Sequence, residues 1–226
     1  MPSAASTVTP FVDDSAGDPP VRGFLHRSAN PSGDALVLAH GAGSNADSPI
    51  LVAVANAFAA TGIHVLRCDL PYRQARHTGP PPPGSAQRDR AGLGHAALVM
   101  RPLGAGRLFL GGHSYGGRQA SILAAEDPAI AAALLLLAYP LHPPRRAGEL
   151  RTAHFPRLRT PALFVHGSRD PFGSLEELRS ALALIPAPTA LRAVEGAAHD
   201  LMSRRARSGA DVALETVSAF LELVGA

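Results

Sequence analysis

Three residues sit where side-chain chemistry could converge: a serine between glycines, then an acid and a histidine, each just past an apolar run. The serine is Ser114, in Gly111-Gly112-His113-Ser114-Tyr115-Gly116-Gly117. The run Leu108-Phe109-Leu110 precedes it, and the helix-forming stretch 118–125 follows. Residues 112–116 read G-x-S-x-G, the pattern of a nucleophile elbow, in which a serine on a strained strand-to-helix turn presents its hydroxyl to the open. Such a turn crowds the neighbouring backbone, so the positions two before and two after the serine have little room for a Cβ. A glycine-rich turn with an idle serine would look similar; the strand before and the helix after favour the elbow.

A serine hydroxyl is a poor nucleophile until a base takes its proton, and the base needs an acid to fix its tautomer and stabilise its charged form. His199, in Gly196-Ala197-Ala198-His199-Asp200 after the apolar stretch 189–194, is the expected base. Of the ten histidines, His40, His113 and His166 lie beside glycines and read as structural. Asp170, in Gly167-Ser168-Arg169-Asp170 after the run 161–166, is the expected acid. Its rivals are weaker: residues 138–148 contain no Asp or Glu, and Asp200 is too close in sequence to His199 to orient it. A tetrahedral intermediate also needs donors for its oxyanion. His40-Gly41-Ala42-Gly43 follows the apolar run 35–39, and the backbone N–H groups of Ala42 and Tyr115 are the candidates.

These residues need a scaffold that brings distant loops to one edge. Apolar strand-length runs at 35–39, 63–69, 107–110, 130–138, 161–166 and 189–194 alternate with helical stretches at about 49–61, 85–100, 118–125, 174–185 and 209–224. That alternation predicts right-handed crossovers, hence an α/β fold: a three-layer α/β/α sandwich with a mostly parallel sheet. The loops after its strands converge on one edge, and Ser114, Asp170 and His199 fall in three of them. Residues 1–20 read as a loose N-terminal tail, with a short strand within 7–12, and 21–226 as one domain. The stretch 21–27 reads as an edge strand. Residues 70–85 read as a long irregular connection whose four prolines, 80–83, favour an extended spacer.

Composition excludes several alternatives. All 21 basic side chains are arginine, which removes a Schiff-base lysine and a Walker-type phosphate loop. Net charge is only +3, and the densest clusters, Arg204-Arg205-Arg207 and Arg145-Arg146, are too small for a nucleic-acid footprint. Cys68 is the single cysteine, so no internal disulfide forms. The first twenty residues carry no basic group or long apolar core, and no apolar run is of membrane-spanning length, so a cytoplasmic protein without leader or membrane partner is expected. No metal or cofactor is expected.

The motifs, in order, resemble an α/β-hydrolase of the compact, dienelactone hydrolase-like kind. The resemblance rests on HGAG at 40–43, LRCDLPYR at 66–73, GGHSYGGRQAS at 111–121, YPLHPP at 139–144, LRTAHFPRLRTPALFVHGSRDPFG at 150–173 and GAAHDL at 196–201. More narrowly it resembles the group containing the third subunit of the NSL histone-acetyltransferase complex, a testis-expressed hydrolase-like protein and small bacterial relatives. The order Ser, acid, His is that of the superfamily. The resemblance implies a serine hydrolase acting on a small ester, thioester or related acyl compound through an acyl-enzyme, or a non-catalytic scaffold that keeps the fold. No large cap is expected; the 70–85 loop and the 142–155 connection are the candidate covers. His142, Arg145, Arg146 and His154 could contact substrate there, although a solvated structural loop is the simpler expectation. Substrate identity and oligomeric state are not readable from the sequence.

Overall fold

A computed structural model describes residues 6–143, 145–202 and 209–225 of the chain. Its strands are β1 (Thr7–Asp13), β2 (Val21–Arg27), β3 (Ala35–Ala39), β4 (His64–Cys68), β5 (Leu108–His113), β6 (Ala133–Leu137), β7 (Ala162–Gly167) and β8 (Thr189–Val194). The helices are α1 (Pro49–Ala60), α2 (Pro71–Ala75), α3 (Ala86–Met100), α4 (Tyr115–Glu126), α5 (Leu175–Leu182) and α6 (Gly209–Leu223), with one 3₁₀ turn at Phe155–Arg157.

The strands make one sheet in the order β1-β2-β4-β3-β5-β6-β7-β8. Pairings are parallel from β4 through β8, and antiparallel between β1 and β2 and between β2 and β4. The five-residue strands β3, β4 and β6 are buried at every position, as apolar strands covered on both faces must be. Successive side chains of β3 feed opposite layers. Ala35, Val37 and Ala39 join a core with Leu93, Met100, Ala120 and Leu178 from α3, α4 and α5. Leu36 and Leu38 pack with Leu51, Phe58, Val217 and Phe220 from α1 and α6. This is the α/β/α sandwich with a mostly parallel sheet that the sequence predicts.

Topology locates the site. The chain leaves β3 to form β4 on one side and returns to form β5 on the other, so strand order reverses at β3. In open parallel sheets the crevice outside the strand C-termini at such a switch point receives ligands. Here it lies between the 40–44 loop after β3 and the 113–115 turn after β5.

The structure corrects several expectations. The short strand expected within 7–12 is present as β1, so this part of the segment read as a loose tail is instead paired to β2, from Thr7 opposite Arg27 to Asp13 opposite Val21. The outer strand is therefore β1, and 21–27 is interior rather than an edge. Pro10 fits β1 because an outermost strand has no further neighbour to receive its missing N–H. The 70–85 connection is not wholly irregular, since α2 opens it, with Pro71 in its first turn and its Tyr72 N–H donating to the buried Asp89 carboxylate at 3.1 Å. That partner lies 17 residues ahead, so no local signal announces the helix. The strand expected over 130–138 is confined to β6, because Ile130 N–H closes a turn onto Asp127 O. The helix expected from 174 to about 185 stops at Leu182; its capping box, Ser174 with Glu177, is present. Arg204, Arg205 and Arg207 lie outside the described residues, as do residues 1–5 of the expected tail.

Candidate active site

Ser114 sits between β5 and α4 with φ 51° and ψ −113°, outside the regions a residue with a Cβ readily occupies. The turn is tight because the backbone of β3 passes against it. A Cβ on Gly112 or on Gly116 would overlap the carbonyl of Ala39. Both glycines flanking the serine are thus required by contact rather than by flexibility, as the motif predicts. Ser114 N–H donates to Leu137 O of β6 at 2.8 Å, which holds the strained residue against the sheet.

The structure brings the three loops together. Ser114 Oγ lies 2.8 Å from His199 Nε2, and His199 Nδ1 lies 2.8 Å from Asp170 Oδ2. A carboxylate can only accept, so Nδ1 carries the imidazole proton and Nε2 is left to accept from the serine hydroxyl. The Asp170 side chain is wholly buried and its Oδ1 accepts from Phe172 N–H at 2.9 Å. The Phe172 ring lies against the imidazole, with centroids 4.1 Å apart and planes 31° apart. Hydroxyl, base and acid therefore form one hydrogen-bonded chain, able to move a proton from Ser114 to His199 while Asp170 holds the tautomer.

Backbone packing positions the base. His113, next to the serine, places Nε2 at 2.8 Å from His199 O and must donate there, because a carbonyl only accepts. Burial pushes the His113 pKa down to about 4, so the ring is neutral and the brace persists across the working pH range. Gly167, at the end of β7, lies so close to the carbonyls of Ala197 and Ala198 that no Cβ fits. Arg169 N–H donates to Ala197 O at 2.9 Å, tying the acid loop to the histidine loop. His166, read as structural, anchors the acid loop by donating from Nε2 to Gly173 O at 2.8 Å.

The oxyanion candidates also lie beside Ser114. Ala42 and Tyr115 line the same cleft of about 460 Å³, together with Gly41, Gly43, Ser114 and His199. Tyr115 opens α4, where the first N–H groups have no intrahelical partner. Gly116 N–H donates to His40 O at 3.1 Å and so pins the 40–43 loop to the elbow.

The LPYR segment, singled out only as part of a resemblance, holds that loop from behind. Tyr72 Oη donates to Ala42 O at 2.8 Å. Burial pushes its phenol pKa up to about 12, so it stays a donor. Arg73, only 5% exposed, donates from Nε to Ser44 O at 2.7 Å and from its terminal nitrogens to the carbonyls of Ala42, Arg76 and Gly79. His40 accepts from Leu70 N–H at Nε2 (3.1 Å) and donates from Nδ1 to Gly41 O (2.8 Å). Tyr72 and Arg73, to which sequence reading gave no role, thus position both the 40–44 loop and the segment leading to Pro80 and Pro81, which line the cleft.

The other candidates sit elsewhere. His154 is buried and hydrogen-bonded to Ser121 Oγ at 2.8 Å, and His142 is buried against Pro143 O. Arg146 makes an exposed pair with Glu149, and Arg145 is exposed. None of the four lines the cleft around Ser114. Arg118 and Arg151 do, and neither was singled out; the four-residue spacing of Ser114 and Arg118 on one helix was the available signal. Cys68 is buried, its thiol pKa pushed up to about 12 by burial, and so offers no competing nucleophile at neutral pH. Among the described residues, no group of three or more His, Cys, Asp and Glu side chains could hold a metal, and no helix is long and apolar enough to cross a membrane.

The sequence matches the family described as alpha/beta hydrolase domain over residues 32–223. Similar solved structures include dienelactone hydrolase from Anabaena variabilis, 21% identical, with a TM-score of 0.76 over 97% of this chain and 98% of that one. Est1E from Butyrivibrio proteoclasticus is 16% identical, with a TM-score of 0.73 over 99% and 100%. XC6422 from Xanthomonas campestris, described as an α/β serine hydrolase without a lid, is 17% identical, with a TM-score of 0.69 over 98% and 94%. At these identities the likeness is one of fold.

Proposed function

The chain belongs to the alpha/beta hydrolase family, and from that premise we propose that it is a serine hydrolase cleaving a small ester, thioester or related acyl compound. The observation that carries this reading is the unbroken chain Ser114–His199–Asp170, at 2.8 Å for each link, opening into the cleft beside Ala42 and Tyr115. Ser114 Oγ attacks the acyl carbon as its proton passes to His199 Nε2. The N–H groups of Ala42 and Tyr115 receive the negative charge that develops on the carbonyl oxygen. The intermediate collapses by returning the proton to the leaving group, which departs as alcohol or thiol and leaves an acyl-Ser114. Water, deprotonated by the same histidine, then releases the acid. No step calls for a metal or organic cofactor.

Within the family, the finer placement beside the NSL-complex third subunit and the testis-expressed hydrolase-like proteins is supported by the motif string of the chain alone. A cytoplasmic location and the absence of nucleic-acid and membrane partners are likewise proposals, supported by composition, and so is a single domain, which takes in β1 as well as 21–226 because β1 joins the same sheet. The test of the hydrolase reading is turnover of short-chain p-nitrophenyl esters. The native protein hydrolyses them and Ser114→Ala does not; equal rates in the two would remove the mechanism.

A further inference from the structure

The cleft has a charge pattern that an ester bond does not require. Arg118 lies four residues beyond Ser114 in α4, one turn on along the same face. Side chains on a helix lean toward its N-terminus, which directs Arg118 back toward the serine. Arg151 reaches the same cleft from the connection after β6. Its backbone is fixed there, the N–H donating to Leu141 O at 2.8 Å and the carbonyl accepting from Tyr139 Oη at 2.8 Å. Its guanidinium makes only a long 3.5 Å contact with Pro140 O. Both arginines line the cleft that holds Ser114 and His199, and no acidic side chain among the described residues does.

Neither guanidinium is paired with a carboxylate among the described residues. The Nε of Arg118 is buried with no hydrogen-bond partner. Arg73, close by, shows the contrast, since its donors are spent on four carbonyls. The two cations also act on each other: burial first, then the charge of Arg118, hold the Arg151 pKa below its ordinary value. Of the other neighbours, burial keeps Tyr139 a neutral phenol, burial and Arg118 keep His154 neutral at a pKa near 4, and Glu149, the carboxylate that acts on Arg151, is exposed and already paired with Arg146. Two like charges therefore face a small cleft lined by no carboxylate among the described residues, beside a buried donor left unused. A bound anion would remove both costs, and a guanidinium fork suits a planar carboxylate.

We propose that Arg118 and Arg151 form an anion subsite, and that the substrate is an acyl compound bearing its own carboxylate a few bonds from the scissile carbonyl. The proposal rests on the serine-hydrolase reading and names the substrate class for that site. It is tested by kcat/KM on mono-p-nitrophenyl glutarate against p-nitrophenyl pentanoate, which match in chain length and differ in charge. The native protein favours the anionic ester by at least about tenfold at low salt, and Arg118→Gln and Arg151→Gln each reduce that ratio about tenfold or more. A native ratio at or below one, with turnover of the neutral ester that Ser114→Ala abolishes, overturns the anion subsite and leaves the hydrolase reading intact. No turnover of either ester, together with no fluorophosphonate adduct at Ser114, overturns the hydrolase reading and the subsite with it. A readout without variants covers misfolding: glutarate inhibits pentanoate-ester hydrolysis at least about tenfold more strongly than glutaramide, and equal inhibition overturns the proposal.

Discussion

At the scale of single residues, the division of labour among Ser114, His199 and Asp170 makes sharp predictions. Ser114→Ala lowers kcat by roughly 10⁴ or more, because oxyanion donors and binding alone remain. It leaves stability within about 1 kcal/mol, since alanine keeps the strained φ and loses one hydrogen bond; ester assays and urea denaturation of the same preparation check both. Asp170→Asn lowers kcat by on the order of 10³–10⁴, because an amide cannot fix the Nδ1–H tautomer, and a loss below about tenfold in steady-state kinetics would point to another acid. These three were legible because each follows an apolar run and the chemistry demands those side-chain types. Arg118 was not, because its meaning depends on Arg151, which lines the same cleft from a connection 33 residues later. His142 and His154 drew attention by type, but packing withdrew them: one hydrogen-bonds its neighbour's carbonyl, the other Ser121.

At the scale of elements, the loop after β3 is only as good as the segment behind it. Arg73→Met leaves the carbonyls of Ser44, Arg76 and Gly79 without this donor and Ala42 O with Tyr72 Oη alone. It should cost roughly 2–4 kcal/mol of stability. It should also lower kcat about tenfold or more, by loosening the proposed oxyanion donor, the Ala42 N–H. Denaturation and ester kinetics read the two effects separately, and an unchanged kcat would show that the brace does not reach the Ala42 N–H. The buried strands and long amphipathic helices could be read from the sequence because burial on both faces, or on one stripe, writes itself into the residue pattern. The short helix α2 could not, since its N-terminus is satisfied by Asp89 in the following helix. Nor could the interior place of β2, which exists only because β1 pairs outside it. Partners distant in sequence decide both.

At the scale of the whole molecule, buried neutral histidines set an acid limit. Burial holds His26 and His154 at pKa values near 4 in the folded state, against an ordinary value of 6.5. His26 accepts from Arg67 Nε at 2.7 Å and cannot take a proton at that nitrogen without losing the bond. Above about pH 6.5 both folded and unfolded chains are neutral at these sites, and they contribute nothing to pH dependence. Between 6.5 and 4 the unfolded chain binds the protons more readily, so stability falls as pH falls. From pH 7 to 5.5, where carboxylates are still ionised, the loss should be about 1 kcal/mol per histidine. Urea denaturation at the two pH values measures it, and a flat profile would contradict neutral burial. The molecule otherwise holds one arrangement together: two helical layers and a sheet that reverses order at β3 bring three loops to a single crevice. Whether that crevice contains an activated serine is decided most directly by reacting the folded protein with a fluorophosphonate and mapping the adduct by peptide mass spectrometry. A single adduct on Ser114, lost in Ser114→Ala and after unfolding, is the predicted result. No adduct, or one that survives the substitution, would contradict it.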